Sequence, residues 1–173
     1  MSNLRIGNGF DVHRLVKGRE LILGGEKIDN PLGLDGHSDA DVLIHSIIDS
    51  LFGASCLDDI GYHFPDNDKT YKDISSIVLL KKANEILKEN NIEIINIDST
   101  IICETPKLKP FISKMKYNIS GSLDNLDVNR ISIKGKTTEL LGFTGRGEGI
   151  AVYTVALVNI VKSPLSIFSN NRM

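Results

Sequence analysis

Two residues near the N-terminus have the types and the spacing of metal ligands. Asp11 and His13 are separated by Val12 alone, in a segment whose apolar pattern predicts a β-strand from Leu4 to Val12. Because alternate residues of a strand point to the same side, the carboxylate and the imidazole are expected to converge while Val12 faces the core. His45, on the helix predicted next, offers a third ligand. One carboxylate and two imidazoles suit a zinc ion whose fourth position stays open to water or substrate.

A loop rich in glycine, histidine and aspartate leads into that helix. His37 and Ser38 add side-chain donors at a place where free backbone N–H groups and the helix dipole could receive an anion. Ser38 or Asp39 is expected to cap the helix, and Asp39 and Asp41 could instead serve only to complement its dipole. Asp41 lies four residues before His45 on the same helical face, so it could orient that imidazole.

An acidic, glycine-containing loop from Asp58 to Lys72 follows the helix. Asp66 and Asp68 could be ligands of a second, hard ion such as Mg²⁺, or they could form an ordinary solvated turn. His63 is expected to be structural and not a ligand. The loop is the natural candidate for a mobile lid that closes a pocket.

Two further segments could meet phosphate groups. One is the constrained loop from Thr105 to Pro110, whose Lys107 and Lys109 are either phosphate contacts or ordinary surface charges. The other runs from Gly135 to Glu139 and holds two hydroxyls, a lysine and a carboxylate, which can clamp a diphosphate and its metal ion. The glycine-rich stretch 142–149 lets the backbone approach a partner closely, but the residue order of a P-loop is missing.

The elements that must position these residues alternate between strands and helices. Apolar spacing predicts helices over 38–53, 75–90 and 108–121, strands over 92–103 and 130–134, and a hairpin turning at Gly24-Gly25. This order favours an α+β fold in which helices cover one face of a mixed four-stranded sheet. The last apolar run, 150–161, predicts a strand buried on both faces, and another subunit is the economical cover for the second face.

Length and composition limit the classes of protein that fit. The 173 residues predict one domain over 1–162 and a polar, frayed tail over 163–173. The formal net charge of −2 gives no reason to expect a nucleic-acid partner, and no apolar run is long enough for a membrane span. The two cysteines, Cys56 and Cys103, indicate a reducing compartment and not a disulfide scaffold. We therefore expect a cytoplasmic protein, or an organellar one if an upstream transit segment has been removed.

Five motifs together resemble one enzyme family. They are FDVH at 10–13, HSDADVLIH at 37–45, DIGYHFPD at 59–66, TPKL at 105–108 and TTELLGFTGRGEGIA at 137–151. In this order, from about Arg5 to Val161, the chain resembles the 2-C-methyl-D-erythritol 2,4-cyclodiphosphate synthase family. The resemblance implies a homotrimeric lyase of the non-mevalonate isoprenoid pathway with active sites between subunits. Its reaction would cyclise 4-diphosphocytidyl-2-C-methyl-D-erythritol 2-phosphate and release CMP.

The resemblance also implies site residues. The zinc ligands, one ion per subunit, correspond to Asp11, His13 and His45. The catalytic positions correspond to His37 and Thr137, and a second divalent cation, Mg²⁺ or Mn²⁺, to Glu139. The substrate contacts correspond to Asp11, His13, His37, Ser38, Asp59, Ile60, Gly61, Phe64, Pro65, Asp66, Asn67, Asp68, Cys103, Glu104, Thr105, Pro106, Lys107, Leu108, Lys109, Lys136, Thr137, Thr138, Glu139, Phe143 and Arg146. Lys136 departs from the family, which often has a threonine there.

Two other functions would use the same residues. A zinc-activated water could hydrolyse a phosphate ester, in which case inorganic phosphate would be released in place of CMP. A non-catalytic module could instead bind a nucleotide or a prenyl diphosphate, with Arg146 as the anion contact. In such a module the zinc ion would stabilise the fold, so replacing His13 would unfold the protein.

Overall fold

The computed structural model describes residues 3–65, 67–68 and 74–161. In chain order the elements are β1 (Leu4–Val16), β2 (Leu21–Leu23), β3 (Glu26–Ile28), β4 (Gly33–Leu34), α1 (Val42–Ser55), α2 (Ile60–His63), α3 (Ser76–Glu89), β5 (Ile92–Ile102), α4 (Ile112–Ser122), β6 (Ile131–Lys136), α5 (Gly142–Gly145) and β7 (Gly149–Ile160). The polar tail predicted over 163–173 lies outside the described residues. None of the helices in the described ranges is long and apolar enough to cross a membrane.

The predicted mixed sheet is present. Its four long strands lie in the order β1, β7, β5, β6, and only β5 and β6 run parallel. The two-residue strand β4 pairs with the end of β1 and adds a fifth, short strand at that edge. The predicted hairpin is also confirmed, since β2 and β3 pair across Gly24-Gly25, and both glycines have the positive φ that this turn requires.

Helices α1, α3 and α4 cover one face of the sheet, and the core lies between them. The apolar face of α1 is fully buried at Leu43, Ile47, Ile48 and Leu51. Burying side chains of this size stabilises the fold by about 1.5–3 kcal/mol each. Helix α1 runs across both β1 and β7, so the central strands and this helix form the unit on which the other elements are assembled.

Helix α1 approaches β1 unusually closely because two positions of the strand carry no side chain. A Cβ atom at Gly7 would lie 2.1 Å from the carbonyl oxygen of Ser50, and one at Gly9 would lie 2.0 Å from that of Ser46. The Ser46 hydroxyl also donates to Thr154 Oγ1 of β7 over 2.9 Å. Contact between main chains therefore fixes the height of α1 above the sheet.

Three local expectations are wrong, and two of them concern where helices begin. Helix α1 begins at Val42 and is capped by Asp41, not by Ser38 or Asp39, because the Asp41 carboxylate accepts the N–H of Ile44. Helix α4 begins only at Ile112, so Pro110 precedes the helix and does not lie in its first turn.

The third concerns the side of β1 that is buried. Val12 does not face the core, because Gly7, Gly9, Asp11 and His13 share the helix-covered side of β1 and Val12 lies on the other. The last strand is likewise buried on one side only in a single chain. Tyr153 and Val155 are exposed on the open face.

Candidate active site

The three predicted metal ligands converge on the second half of β1. His13 Nε2 lies 3.0 Å from Asp11 Oδ2 and 3.2 Å from His45 Nδ1, and His45 Nδ1 lies 3.1 Å from Asp11 Oδ2. Asp11 and His13 extend the row begun by Gly7 and Gly9, and His45 precedes Ser46 on α1. The close contact of helix and strand thus brings the third ligand to the first two.

Hydrogen bonds on the far side of each imidazole fix which nitrogen can bind a metal. His13 Nδ1 lies 2.6 Å from the Asp35 carbonyl, which can only accept, so the Nδ1–H donates there and Nε2 is left free. The Ser76 hydroxyl donates to the Asp39 carboxylate, so its oxygen accepts the Nε2–H of His45 over 3.0 Å. His13 Nε2 and His45 Nδ1 therefore both face Asp11, where each can hold a proton for the carboxylate or, once that proton has left, bind a metal.

The electrostatics of the triad favour a charged carboxylate. Burial alone would raise the pKa of Asp11, but hydrogen bonds and attraction from His13 and His45 outweigh it and hold that pKa well below its usual range. Burial alone would lower the pKa of His13, and its bonds to Asp11 and to the Asp35 carbonyl raise it instead. A divalent cation would replace the proton that the two imidazoles otherwise attract.

The donor set fits a divalent metal such as zinc. Nitrogen and oxygen ligands at 2.0–2.2 Å from a tetrahedral ion lie roughly 3.3–3.6 Å apart. The observed separations of 3.0, 3.1 and 3.2 Å need only a small expansion to reach that geometry. Three protein ligands leave the fourth position open, which is typical of catalytic zinc sites.

A cavity of about 270 Å³ adjoins the triad. The sequence-predicted residues that line it with the triad are His37, Ser38, Ile60, Gly61 and Phe64. Ser38 Oγ also lies 3.4 Å from His45 Nε2. The cavity therefore joins the metal ligands to the helix-entry loop and to the first part of the predicted lid.

Asp41 does not orient His45 as predicted. Its carboxylate is fully buried and accepts the N–H groups of Gly24, Gly25 and Ile44. It ties the hairpin turn to the start of α1 and occupies the N–H of Ile44 there. Burial raises the pKa of Asp41 to about 6.

Of the described residues of the acidic loop, Ile60, Gly61 and Phe64 line the first cavity. Asp59 caps α2 by accepting the N–H of Tyr62 over 2.8 Å. Asn67 and Asp68 are exposed, and Asp66 lies outside the described residues. Pro65 is half-buried beside them. His63 is structural as expected, because its Nε2–H donates to the Leu57 carbonyl and its ring packs on Phe52.

The loop after β5 lines a second cavity, of about 260 Å³, with the end of β6. Its predicted lining residues are Cys103, Glu104, Pro106, Lys107, Leu108, Lys109, Lys136 and Thr137. Thr105 is exposed at its rim. The Cys103 thiol is buried, its pKa is raised to about 11 by burial, and neither cysteine forms a disulfide. The second cavity therefore offers backbone and cationic groups and no reactive thiolate.

The segment after β6 turns sharply at Glu139. The Thr137 hydroxyl donates to the Glu139 carboxylate over 2.5 Å, and Thr138 Oγ1 lies 3.1 Å from Thr144 Oγ1. Phe143 and Arg146 line neither cavity. Arg146 instead pairs with Glu148 on the surface, with Nε 2.8 Å from the carboxylate.

The two cavities lie at the same end of the sheet but on different strands. In the strand register Asp11 pairs with Val152, Val152 with Ile101, and Ile101 with Gly135. Three strand spacings separate the outer two residues, which is about 14 Å. In the described part of the chain the cavities share no lining residue. A single chain therefore brings His37 to the triad but leaves Thr137 in the other cavity.

Sequence reasoning missed two polar residues of the first cavity and its surroundings, Asp49 and Ser76. Asp49 lines the cavity, accepts the N–H of Ile60 over 2.9 Å, and has its pKa raised by burial. Its position four residues after His45 on one helix was the available signal. Ser76, which holds His45, had no such signal because it lies 31 residues away along the chain.

Comparison with known sequences gives one consistent result. A model of the YgbB family matches residues 4–159. The 2-C-methyl-D-erythritol 2,4-cyclodiphosphate synthase of Clostridium novyi is 55% identical over 156 residues, which is 90% of this chain and 99% of the relative. The enzyme of that name from Finegoldia magna is 56% identical over 156 residues, 90% of this chain and 98% of the relative.

Solved structures agree. The bifunctional IspDF of Campylobacter jejuni matches 94% of this chain with a TM-score of 0.88 and 44% identity, and this chain corresponds to 44% of that longer one. A CDP complex of Plasmodium falciparum IspF matches 94% of this chain and 99% of its own, with a TM-score of 0.80 and 35% identity.

Proposed function

This chain belongs to the YgbB family, and we propose that Asp11, His13 and His45 hold the zinc ion of its reaction. The chain is a lyase of the non-mevalonate isoprenoid pathway. It converts 4-diphosphocytidyl-2-C-methyl-D-erythritol 2-phosphate into 2-C-methyl-D-erythritol 2,4-cyclodiphosphate and CMP. The convergence of the three ligand atoms beside a cavity carries the zinc assignment. The family match favours this function over a phosphate-ester hydrolase or a non-catalytic binding module.

The reaction needs no nucleophile from the protein. An oxygen of the substrate's own 2-phosphate forms a bond to the β-phosphorus, and the bond from that phosphorus to the oxygen bridging the α-phosphate breaks, so CMP leaves. The protein contributes positioning and charge compensation, as is usual in phosphoryl transfer. A zinc ion held by Asp11, His13 and His45 would supply Lewis-acid charge to the reacting diphosphate, and a second cation, Mg²⁺ or Mn²⁺, held by Glu139 would offset further phosphate charge.

The chain's own residues orient the reacting phosphates. His37 and Ser38 line the triad cavity and donate to the phosphate end of the substrate. Thr137 donates to an oxygen that gains charge during transfer, once substrate replaces the Glu139 carboxylate as its acceptor. The other substrate contacts implied by the family resemblance, including the 59–68 loop, Lys136, Phe143 and Arg146, remain part of this proposal. The proposal also includes a lid role for 58–72, a single catalytic domain over 1–162 and a cytoplasmic location.

Three copies of the chain form the active enzyme in this proposal. The open face of β1 and β7 exposes a row of large apolar side chains that water would otherwise cover. The members of this open apolar face are Leu4, Ile6, Phe10, Val12, Tyr153 and Val155. The rings of Phe10 and Tyr153 lie 4.5 Å apart, so the face is continuous across the two strands. Packing around an axis through this face would bury it.

The distance between the two cavities supports a site shared by neighbouring copies. Cations that act on one diphosphate lie about 3.5–4 Å apart in two-metal sites. The strand register separates the rows of the two cavities by about 14 Å within one chain. We infer that the second cavity of one copy closes over the metal triad of its neighbour, with the cytidine held by the loop 103–109.

Two substitutions separate the proposed roles. His13→Ala should lose zinc and CMP release while keeping most of the circular dichroism signal, because an open catalytic site lends its charge to the substrate. Glu139→Ala should keep zinc but lose charge compensation, and each loss is on the order of several kcal/mol of transition-state stabilisation. His63→Gln, which keeps a donor toward the Leu57 carbonyl, is the matched control and should retain zinc. Unfolding of His13→Ala, or normal turnover of Glu139→Ala, would contradict the assignment.

Mixing tests the shared site. His13→Ala and Glu139→Ala protomers, each inactive alone, should regain part of the activity when they are unfolded and refolded together. Some mixed trimers then contain one intact pair of walls. If mass spectrometry demonstrates mixed trimers and no CMP is released, both walls belong to the same chain.

A further inference from the structure

The carboxylate of Glu104 joins the two loops that form the second cavity. Its Oε1 accepts the N–H of Thr138 over 2.9 Å and the N–H of Leu140 over 3.2 Å, and it lies 3.3 Å from Thr138 Oγ1. The family resemblance places Glu104 in the cytidine loop, where backbone groups make most contacts. The structure directs its side chain away from that task and into the turn that carries Glu139.

That turn has a backbone conformation that needs external support. Glu139 and Leu140 have φ values of +54° and +65°, and neither is glycine. Non-glycine residues in this region are strained and persist only where the surroundings over-determine them. The two N–H groups that Glu104 accepts belong to Thr138 and Leu140, on either side of Glu139. Glu104 therefore holds the turn on both sides of Glu139.

The charge state of Glu104 agrees with this role. Burial alone would raise its pKa, but the N–H groups of Leu140 and Thr138 outweigh that effect and lower it. A carboxylate that accepts several backbone N–H groups is held in its charged form, and hydrogen bonds to a charged group are stronger than those between neutral groups.

We propose that Glu104 is a positioning residue that sets Glu139 and Thr137 for the second cation and the phosphates. The inference rests on the proposed cation role of Glu139 and adds to it. Beside Glu104, the Cys103 N–H donates to the Lys136 carbonyl over 3.0 Å, so the loop 103–109 and the segment 136–140 are joined twice. A cytidine nucleotide that orders the first loop should therefore also order the second, and cation and nucleotide should bind more tightly together than alone.

The test measures cation dependence of the full-length enzyme. For Glu104→Ala we expect the Mg²⁺ concentration at half-maximal CMP release to rise about 10- to 100-fold, the range typical when the support of a metal ligand is removed. Excess Mg²⁺ should restore most of the turnover, because Glu139 is still present. Glu104→Gln keeps an oxygen acceptor without the charge and should fall between the wild type and Glu104→Ala. Glu26→Ala, which removes a carboxylate paired with Lys114, should leave the midpoint unchanged.

A direct binding measurement separates the positioning role of Glu104 from the cation role of Glu139. Free Mn²⁺ counted by electron paramagnetic resonance in the presence of CDP should show the same weakening for Glu104→Ala, with zinc content unchanged. If Glu139→Ala loses Mn²⁺ binding but both Glu104 variants match the wild type, the positioning role of Glu104 is refuted. If Glu139→Ala itself binds Mn²⁺ normally, the cation role of Glu139 fails first. Glu104→Gln keeps the test decisive if Glu104→Ala does not fold.

Discussion

Replacing Gly9 by alanine should damage both the fold and the metal centre. The new Cβ atom would lie 2.0 Å from the Ser46 carbonyl oxygen, in the main chain of α1. An ordinary carbon–oxygen contact is about 3.3 Å, so helix and strand must separate by at least about 1.3 Å. No side-chain rotation can relieve this contact because the Cβ atom is fixed to one backbone and meets another.

The size of the loss follows from what that separation breaks. Overpacking of a tight interior costs about 1–3 kcal/mol. The hydrogen bonds of the Ser46 hydroxyl with the Gly9 carbonyl and with Thr154 also lengthen. Each contributes about 0.5–1.5 kcal/mol to stability. We expect Gly9→Ala to lose about 2–6 kcal/mol of unfolding free energy. Metal sites tolerate only about 0.2 Å of ligand displacement, and His45 adjoins Ser46, so zinc affinity should fall at least about tenfold.

Urea unfolding and competition with a zinc chelator measure the two losses. Gly53→Ala is the matched control, because Gly53 lies in the same helix and a Cβ atom there would lie 3.8 Å from the Asn8 carbonyl oxygen, an ordinary contact distance. That substitution should raise stability by about 0.5–1 kcal/mol and leave zinc affinity unchanged. If Gly9→Ala matches the wild type in both measurements, backbone contact does not set the ligand geometry.

Three further predictions concern other parts of the molecule. Ser76→Ala removes the acceptor of the His45 Nε2–H and should weaken zinc binding about 10- to 100-fold in a chelator titration, whereas Ser76→Thr should retain most of it. Because burial raises the pKa of Asp41 to about 6 from 3.8, the native state takes up a proton as pH falls through this window and the unfolded chain does not. Between pH 7 and pH 4 the wild type should therefore gain up to about 3 kcal/mol of unfolding free energy relative to Asp41→Asn, and parallel pH curves would contradict this. Val155→Lys places a charge on the open apolar face and should yield monomers without activity in sedimentation and CMP-release assays, so an intact trimer would refute the proposed packing.

The sequence predicted the parts of the fold and site that depend on local pattern. Alternation along β1 predicted that Asp11 and His13 share one side, and apolar spacing predicted the helix that carries His45. The turn at Gly24-Gly25 could likewise be predicted, because a positive φ favours glycine. In each of these cases the relevant contact lies within a few residues or follows from one periodicity.

What escaped prediction depends on contacts between distant segments. Asp41 was assigned to His45, four residues away, but its carboxylate bonds to a turn 16 and 17 residues earlier. Val12 was predicted to face the core because apolar side chains usually lie there. The contact of Gly7 and Gly9 with α1 shows that the other face of β1 is buried. The alternation of Gly7 and Gly9 before Asp11 is the sequence signal of a closely packed helix.

The main-chain contact of α1 with Gly7 and Gly9 makes the geometry of the metal centre tolerant of substitutions elsewhere in the core. The spacing between His45 and the strand ligands is defined where two main chains touch, so exchange of one apolar side chain of α1 for another need not disturb it. Sequences could drift widely through the interior while the ligand geometry stays constant. To transfer this centre into a new scaffold, a designer would copy the glycine-containing strand β1 and helix α1. The surrounding apolar side chains could be chosen independently.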